Sequence, residues 1–379
     1  MRITVVAESF LPQTNGVVNT VVRALEHFES RGDEVLVIAP DDPAGVPSSI
    51  HGARVETVPS WALPSYPQVR VAHRSGRHRL AQLIAEHRPD VVHLASPFVL
   101  GWHGTLAARA AGVPTVAVYQ TDVPGFARGY RLAWTERALW KRVRDIHTTA
   151  TLTLAPSSAS EDALAAHGVD NIRRWGRGVD CVRFDPRHRD EALRRSLAPS
   201  GERLVGFVGR VAPEKQVRDL MALADLPGTR LVVIGDGPER SQLARDLPGA
   251  HFTGMLHGTE LARAVASLDV LVAPGESETF CQVVQESMAS GVPVVAPAAG
   301  GPRDLVDSSH TGWLYAPGDL VDMRDRVRDL AGDPAKRDAF GAAARRAVLP
   351  RSWKSVMTQL VGHYDAAIEL HAPTPVRSS

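Results

Sequence analysis

Two glutamates, Glu278 and Glu286, lie eight residues apart in a pattern that could bind a hydroxyl-rich ligand. The apolar run at 268–273 predicts a buried strand before them, and the apolar spacing within 283–288 predicts a helix. Glu278 is therefore expected in the loop at the carboxyl end of a strand, and Glu286 about two turns along the next helix, pointing back over the same crevice. Ligands bind at that edge of α/β sheets, where two carboxylates could accept hydrogen bonds from a ribose or hexose. For an isolated pair, a helix cap and a solvated helix face would be the simpler interpretation.

Two cations follow a strand candidate in the second half of the chain. Arg210 and Lys215 come directly after Gly209, five residues apart. At the carboxyl edge of a strand, an arginine fork and a lysine point charge can clamp a diphosphate. The alternative is a solvated loop in which Glu214 neutralises Lys215. The next strand candidate ends in Gly-Asp-Gly, whose Gly237 could let the backbone approach a ligand, although any tight turn would look similar.

Two further segments contain residue types that suit a nucleotide. Asn15 and Gly16 follow the first apolar run and precede a helical pattern. A glycine there lets an anion approach backbone N–H groups, and the helix dipole favours it, but Asn-Gly is also a common turn. The segment lacks the GxGxxG fingerprint, so a dinucleotide is not indicated. Residues 251–257, which include Met255, could contact a nucleobase or pack in a core.

Length, charge and cysteine content narrow the class of protein. A chain of 379 residues exceeds what one hydrophobic core usually supports, which predicts two domains. The chain is 44% hydrophobic and 22% charged, as in soluble globular proteins, and a net charge of +1 gives no reason to expect nucleic-acid binding. Two cysteines are too few for a disulfide framework and favour a reducing, cytoplasmic location. No apolar run approaches the length that spans a bilayer.

Valine-rich apolar runs alternate with helical patterns in both halves, which predicts an α/β fold with parallel sheets. We expect two Rossmann-like domains, residues 1–175 and 176–350, that face each other across a deep cleft. A polar stretch at 170–203 is the expected hinge, and the helical pattern at about 351–370 is expected to cross back to the first domain. The strand candidates are 3–7, 34–39, 54–58, 91–95, 115–119, 151–155, 204–208, 231–235, 268–273 and 292–296.

The order of these motifs resembles that of the retaining glycosyltransferases of family 4. The motifs are Gly-Arg-Val-Ala-Pro-Glu-Lys at 209–215, Gly-Asp-Gly at 235–237, Glu-x₇-Glu at 278–286 and Gly-Val-Pro-Val at 291–294. The resemblance extends over the first loop at 9–17, Tyr-Gln-Thr-Asp at 119–122 and Trp-Gly-Arg-Gly-Val-Asp at 175–180. It implies the GT-B architecture. The combination is most similar to actinobacterial GDP-mannose-dependent α-mannosyltransferases that act on membrane glycolipids.

The resemblance implies a role for each motif residue. Arg210 and Lys215 would bind the donor diphosphate and stabilise the leaving group, and Gly16 would bring its N–H to the same phosphates when the cleft closes. Glu278 would bind the hydroxyls of the transferred sugar and Glu286 the ribose. The catalytic residues are then Arg210, Lys215 and Glu278, and the donor-binding residues are Asn15, Gly16, Gly209, Gly237, Met255, Phe280, Cys281 and Glu286.

One position departs from the family pattern. Many relatives have a histidine within the Tyr-x-Thr-Asp segment, where this chain has Gln120. A glutamine can donate a hydrogen bond but does not titrate, so general-base catalysis by this side chain is unavailable. Asp122 is left as a group that could orient the acceptor.

The expected reaction is the transfer of a hexose, mannose from GDP-mannose, to a glycolipid or inositol-lipid acceptor with an α linkage. A phosphate oxygen of the donor would take the acceptor's proton. The chain contains no Asp-x-Asp, and with two cations at the diphosphate neither a divalent metal ion nor another cofactor is required. A UDP-sugar donor, a sugar-nucleotide 2-epimerase and a non-catalytic carbohydrate-binding module are the alternatives.

Two basic segments in the first half could face a lipid-linked acceptor. Arg70, Arg74 and Arg77 belong to a stretch at 69–80 without an acidic residue, and a second cluster at 128–144 includes tryptophans. Cations with tryptophans suit docking on an anionic lipid surface, here the inner face of the plasma membrane. Solvated helix faces are the alternative interpretation.

Overall fold

The first half of the chain folds around an eight-stranded sheet in the computed structural model, which describes residues 1–63, 66–73, 75–125 and 133–372. Eight strands lie in the order β10-β9-β8-β7-β1-β2-β4-β3, parallel except for β3 with β4, and β5 and β6 form a separate antiparallel ribbon. The bounds are β1 Arg2–Ala7, β2 Glu34–Pro40, β3 Ser49–Ile50, β4 Ala53–Val58, β5 Ser60–Leu63, β6 Tyr66–Ala72, β7 Val91–Ala95, β8 Thr115–Val118, β9 Leu152–Ala155 and β10 Ile172–Arg174.

The second half contains a six-stranded parallel sheet in the order β13-β12-β11-β14-β15-β16. Its central strands are buried valine-rich runs, as expected for a sheet covered on both faces. The bounds are β11 Arg203–Val208, β12 Thr229–Ile234, β13 His251–Gly254, β14 Val270–Val272, β15 Val294–Pro297 and β16 Gly312–Tyr315.

Helices pack on both sheets. The first, α1 (Gly16–Arg31), begins after the capping residue Asn15 and ends at Gly32, whose left-handed φ of 75° lets its N–H reach the Glu29 carbonyl. Its buried face packs on the first sheet. The others are α2 Gly76–His87, α3 Leu100–Ala110, α4 Glu136–Thr149, α5 Ser158–Ala166, α6 Glu191–Leu197, α7 Arg240–Asp246, α8 Gly258–Ala266, α9 Gln282–Ala289, α10 Pro302–Leu305, α11 Leu320–Gly332, α12 Pro334–Val348 and α13 Trp353–His371.

The strand order reverses at one place in each sheet. In the first sheet β1 lies between β2 and β7, and in the second β11 lies between β12 and β14. Loops that leave the strands on either side of such a point diverge and open a crevice for a ligand. The loop after β1 leads to Gly16, the loop after β11 contains Arg210 and Lys215, and the loop after β14 contains Glu278.

The last helix, α13, completes the core of the first domain. Leu360 and Tyr364 are fully buried in the same apolar cluster as the strands of the first sheet. The Tyr364 hydroxyl is 2.8 Å from His93 Nδ1, and the indole N–H of Trp175 donates to the Val356 carbonyl at 2.9 Å. The chain therefore crosses back to the first domain after the second domain is complete.

A cluster of exposed and half-exposed polar side chains joins α5 of the first domain to α10 of the second. The Asp304 carboxylate accepts hydrogen bonds from the N–H and hydroxyl of Ser158 and from Arg174 at 2.8 Å. Arg303 donates to the Ser158 hydroxyl and to Asp162, both at 2.7 Å. Ion pairs in contact with water contribute at most about 1 kcal/mol each, so this cluster holds the domains together only weakly.

The α/β fold with two parallel sheets is confirmed, and each predicted strand lies within two residues of an observed one. The sequence missed the ribbon strands β5 and β6 and the short strands β3, β10, β13 and β16, the last four of which lie at sheet edges. The hinge expected over 170–203 is wrong in extent. Ile172–Arg174 is a strand of the first sheet, whereas Val179 and Phe184 already belong to the core of the second domain.

Candidate active site

An ion pair between Lys215 and Glu278 joins the loops after β11 and β14. The Lys215 ammonium donates a hydrogen bond to the Glu278 carboxylate. Burial disfavours the ammonium charge, but the Glu278 carboxylate outweighs this effect, so the pKa of Lys215 is raised. Lys215 is therefore cationic at neutral pH.

Arg210 lies on the same loop as Lys215 and has a different acidic neighbour. Its guanidinium is 3.5 Å from Glu214 Oε1. Glu214 thus pairs with Arg210 while Lys215 pairs with Glu278, so the alternative in which Glu214 neutralises Lys215 is not the observed arrangement. Two separate ion pairs consequently lie in the loops that leave β11 and β14.

Glycines allow the two loops beside Arg210 to pack closely. Gly209 adopts a φ of 146°, and its N–H donates to the Ile234 carbonyl at 2.9 Å. A Cβ on Gly235 would lie 1.9 Å from the Gly209 carbonyl oxygen, and a Cβ on Gly237 would lie 2.3 Å from that of Val211. Gly209 and Gly237 therefore have a packing role in these loops, and a contact between their backbone and a donor stays a prediction.

The backbone of the Glu278 loop is clamped by two glycines that follow β15. The Gly301 N–H donates to the Glu278 carbonyl at 2.7 Å. A Cβ on Gly300 would lie 2.5 Å from that same oxygen, and one on Gly301 would lie 2.2 Å from the Phe280 carbonyl oxygen. Side chains at these glycines would push the loop away, so the close approach fixes where Glu278 lies.

Phe280 and Cys281 are buried between this loop and α9. The Phe280 ring packs 3.4 Å from the position of a Cβ on Gly176, and Cys281 precedes α9 with a left-handed φ of 67°. Burial, with a further contribution from the Glu278 charge, raises the pKa of the Cys281 thiol. Cys281 is therefore a neutral thiol and not a nucleophile.

Glu286 lies little more than one turn into α9, rather than two, because the helix begins at Gln282. Burial raises the pKa of Glu286 to about 7, against the opposing effects of a hydrogen bond from Gln282 and the charges of Arg183 and Arg177. This carboxylate is only partly ionised at neutral pH. Because more of the carboxylate is ionised as the pH rises, Glu286 then becomes a stronger hydrogen-bond acceptor for a hydroxyl.

Arg177 is the site residue that sequence reasoning missed. It is 9% exposed and lies on the connection between the sheets, where its guanidinium donates to Gln120 Oε1 at 3.1 Å. Burial lowers the pKa of Arg177 to about 10, while the charges of Glu278 and Glu286 raise it, so the side chain stays cationic at neutral pH. The signal was a charged residue between two glycines, Gly176 and Gly178, in the Trp-Gly-Arg-Gly-Val-Asp motif.

Gln120 and Asp122 lie in the segment after β8 but have different surroundings. Gln120 is buried, and its backbone carbonyl accepts a hydrogen bond from the Thr279 hydroxyl of the other domain at 2.8 Å. The Asp122 carboxylate accepts hydrogen bonds from the Tyr119 hydroxyl at 3.1 Å and the Gly125 N–H at 2.9 Å. Asp122 therefore stabilises its own turn, and its role toward an acceptor stays a prediction.

Asn15 and Gly16 form the amino-terminal end of α1. The Asn15 side-chain oxygen accepts the N–H groups of Val17 and Val18 at 3.0 Å each, as a helix cap. A Cβ on Gly16 would lie 2.6 Å from the Arg177 guanidinium. Gly16 and Arg177 are thus in contact across the domain boundary, which the sequence did not indicate.

The remaining predicted positions lie apart from this cluster. Met255 is exposed in the loop after β13. Arg70 donates to the Asp41 carbonyl at 3.1 Å and the Ser60 hydroxyl at 3.0 Å, and so fastens the β5–β6 ribbon to the first sheet. Arg77 is exposed on α2, as expected for a solvated helix face. Arg74 lies outside the described residues, as do the cations at 128 and 131 of the second basic cluster.

The described part of the second basic cluster lines an open groove of about 770 Å³ beside α4. Arg137, Lys141 and Arg144 border it, and the Trp140 ring stacks on His167 with a centroid distance of 3.7 Å. Trp134 is 82% exposed next to it. An exposed tryptophan beside cations is unusual on a surface that contacts only water.

Within the described ranges, no group of three or more histidine, cysteine, aspartate or glutamate side chains could hold a metal ion. Over the same residues, no helix is both long enough and apolar enough to span a bilayer.

Two domains built on parallel sheets, with charged side chains at the strand ends, define a two-domain protein of the GT-B class. The Anabaena protein HepE, solved in complex with UDP and glucose, shares this fold with a TM-score of 0.79 at 20% identity, over 97% of this chain and 100% of HepE. The model of Glycosyltransferase Family 4 matches residues 14–183, and that of glycosyl transferases group 1 matches 188–347. The chain belongs to this glycosyltransferase family.

Two bacterial relatives are similar over nearly their whole length. The GDP-mannose-dependent alpha-mannosyltransferase of Mycobacterium tuberculosis is 50% identical over 97% of both chains. The protein of the same name from Mycolicibacterium smegmatis is 50% identical over 97% of this chain and 98% of its own.

The raised pKa of Glu286 predicts a pH-dependent affinity for the nucleoside part of a ligand. If the ionised carboxylate accepts a ribose hydroxyl, guanosine binds less tightly as the pH falls from 8 to 6, by up to about tenfold for a pKa near 7. Glu286→Gln removes this dependence. Calorimetric titration at pH 6, 7 and 8 measures it, with Glu260→Gln on the exposed face of α8 as the matched control. A wild-type affinity that is flat over this range would contradict the assignment.

Proposed function

We propose that this chain is a retaining glycosyltransferase that moves mannose from GDP-mannose to a glycolipid or inositol-lipid acceptor with an α linkage. The proposal rests above all on the convergence of Lys215 and Glu278 at the carboxyl edges of neighbouring strands. Cations for a diphosphate and carboxylates for hydroxyls lie side by side there. The names of the 50% identical relatives support mannose and guanine. The acceptor class follows from the family resemblance.

In the proposed complex, each charged side chain of the crevice binds a different part of the nucleotide sugar. Arg210 and Lys215 bind the diphosphate, and Glu278 accepts hydrogen bonds from the sugar hydroxyls. The ion pair of Lys215 with Glu278 holds both side chains at the crevice before the donor arrives. A phosphate can then replace the carboxylate as the partner of Lys215, and the released carboxylate can turn to the sugar.

Transfer breaks the bond from C1 of the sugar to the diphosphate oxygen and forms a bond from C1 to the acceptor oxygen on the same face. Negative charge develops on the departing diphosphate, where Arg210 and Lys215 stabilise it. The acceptor hydroxyl passes its proton to an oxygen of that phosphate, and GDP leaves. Gln120 cannot take this proton, because a carboxamide has no base of suitable pKa.

Substitution of either crevice cation tests the proposal. With GDP-mannose and a lipid acceptor, Lys215→Ala and Arg210→Ala each lower kcat/KM by roughly 10²–10³-fold, about 3–4 kcal/mol, because the leaving group loses a charged partner. Arg218→Ala is the matched control, since Arg218 is exposed on the same loop and pairs with Glu239 at 3.0 Å. Near-wild-type rates in either crevice variant would refute the assignment.

The same assay separates the alternative functions. Wild-type protein that uses UDP-sugars in place of GDP-mannose would change the donor assignment, and turnover of the nucleotide sugar without acceptor would indicate a 2-epimerase.

We further propose that transfer needs no metal ion, because protein cations already face the diphosphate. Full activity is expected in excess EDTA. Initial rates with EDTA, and with EDTA followed by excess magnesium or manganese, check this expectation. Complete loss in EDTA that either metal restores would refute it.

The groove beside α4 is proposed as the surface that docks on an anionic membrane, on the inner face of the plasma membrane. Lys141 is exposed there, although it pairs with Asp145 at 2.8 Å, and Trp134 is exposed in the turn just before α4. Each lysine or arginine near an anionic surface contributes about 1 kcal/mol, and a tryptophan suits the interface.

Vesicle sedimentation tests this docking. The protein is expected to sediment with vesicles that contain phosphatidylglycerol and to stay in solution with pure phosphatidylcholine vesicles. Combined Trp134→Ala and Lys141→Ala substitutions reduce binding about tenfold or more. Arg328→Ala, exposed on α11 of the second domain, is the control. Equal sedimentation with both lipids would discard the proposal.

A further inference from the structure

Two buried side chains beside the crevice keep hydrogen-bond donors without partners. Arg177 is 9% and Gln120 is 5% exposed. Among the described residues, nothing accepts a hydrogen bond from Arg177 Nε or from Gln120 Nε2. A buried donor without an acceptor costs about 1–3 kcal/mol, and more when it is charged. Two such donors on side chains in direct contact indicate that a ligand supplies the acceptor.

Contact with Arg177 determines which way the Gln120 carboxamide points. A guanidinium has donors and no acceptor, so the atom of Gln120 that lies 3.1 Å from Arg177 must be the oxygen. The NH₂ group therefore points away from Arg177. The backbone of Gln120 is also held, by the Thr279 hydroxyl of the second domain. Gln120 thus presents a donor whose direction is set by groups from beyond its own domain.

The amino-terminal end of α1 meets the same guanidinium. Gly16 is the first residue of α1, and the position of its Cβ would be only 2.6 Å from Arg177. A helix amino terminus carries partial positive charge, so the helix end and the guanidinium both favour an anion, and the charges of Glu278 and Glu286 offset only part of this positive charge. The two features together indicate an anion-binding place at the domain boundary.

The unsatisfied groups favour a phosphate over a sugar hydroxyl as the ligand. Arg177 Nε and Gln120 Nε2 can only donate, and a phosphate oxygen can only accept. Its charge also offsets the cost of burying a guanidinium. Sugar hydroxyls donate as well as accept, and Glu278 and Glu286 are the acceptors that suit them.

We infer that Arg177 and Gln120 bind a phosphate group of the nucleotide-sugar donor, with Arg177 also orienting the carboxamide so that its NH₂ group donates. This inference rests on the proposed function and deepens it. Arg210 and Lys215 belong to the second domain alone, whereas this pair binds the diphosphate from the domain boundary. It also gives a reason for glycine at position 16, because any side chain there would displace the guanidinium.

Calorimetry with GDP and guanosine tests the inference, since the two ligands differ only in the diphosphate. Arg177→Ala is expected to weaken GDP binding roughly 10–100-fold and guanosine binding less than about twofold. Gln120→Met is expected to weaken GDP binding by a smaller factor, again with less effect on guanosine binding. Arg177→Lys keeps the charge but lacks the planar fork that can contact Gln120 and a phosphate together, so its GDP affinity is expected between those of the wild type and Arg177→Ala. Arg173→Ala, exposed on β10, is the control and binds both ligands as the wild type does.

A double-mutant cycle provides the second measurement. Gly16→Ala alone weakens GDP binding. In the Arg177→Ala background the same substitution weakens GDP binding further by less than about threefold, because the guanidinium with which the new methyl group clashes is gone. Thermal unfolding of every variant shows whether it is folded. Equal losses for GDP and guanosine in folded Arg177→Ala, or an unchanged GDP affinity, would overturn the inference.

A comparison of GDP with UDP separates a failure of the proposed donor from a failure of the inference about Arg177 and Gln120. A wild-type preference for UDP over GDP would remove the proposed donor base. The affinity difference between UDP and uridine would then report on Arg177 in the same way.

Discussion

The crevice depends on keeping opposite charges close together at the edges of two neighbouring strands. Lys215 and Glu278 come from different loops, and each lowers the cost of partly burying the other. A partly buried charge without a partner would be costly, and the pair removes this cost from both residues. The same pair is also poised for exchange, because a diphosphate can replace the carboxylate at little net change in charge near the lysine. Lys215 and Glu278 thus contribute both to the stability of the protein without ligand and to its affinity for the ligand.

The two domains touch through contacts of very different kinds. At one edge Asp304, Arg303 and Ser158 form hydrogen bonds that water can replace. Near the crevice Arg177 and Gln120 are buried, and their donors remain unsatisfied. The first kind allows the domains to separate at small cost. The second leaves two donors that an anion would satisfy, so an anion bound there would strengthen the contact between the domains.

Much of the fold could be predicted from the pattern of apolar and polar residues. Runs such as 35–39 are apolar on both faces, so their strand character was visible without any partner. The convergence of Lys215 and Glu278 followed from strand ends that share one edge of a sheet. Arg177 could not be found in this way, because it lies in the irregular part of the long connection from β10 to β11. Its burial depends on Gly16 and Gln120, which are distant in sequence and meet it only in the folded chain.

Details of the site also depended on geometry that no pattern encodes. The start of α9 at Gln282 put Glu286 one turn along the helix instead of two. The packing of Gly300 and Gly301 against the Glu278 loop joins segments more than twenty residues apart. Likewise, the pairing of Arg210 with Glu214 required the three-dimensional course of the loop.

The position of α13 has a consequence for how the protein acquires its structure during synthesis. Leu360 and Tyr364 fill the core of the first domain, yet the ribosome makes them after nearly all of the second domain. The first domain therefore cannot finish folding as an independent amino-terminal unit, as domains commonly do. Until the final helix emerges, the apolar surface that it covers on the first sheet is open to solvent and to chaperones.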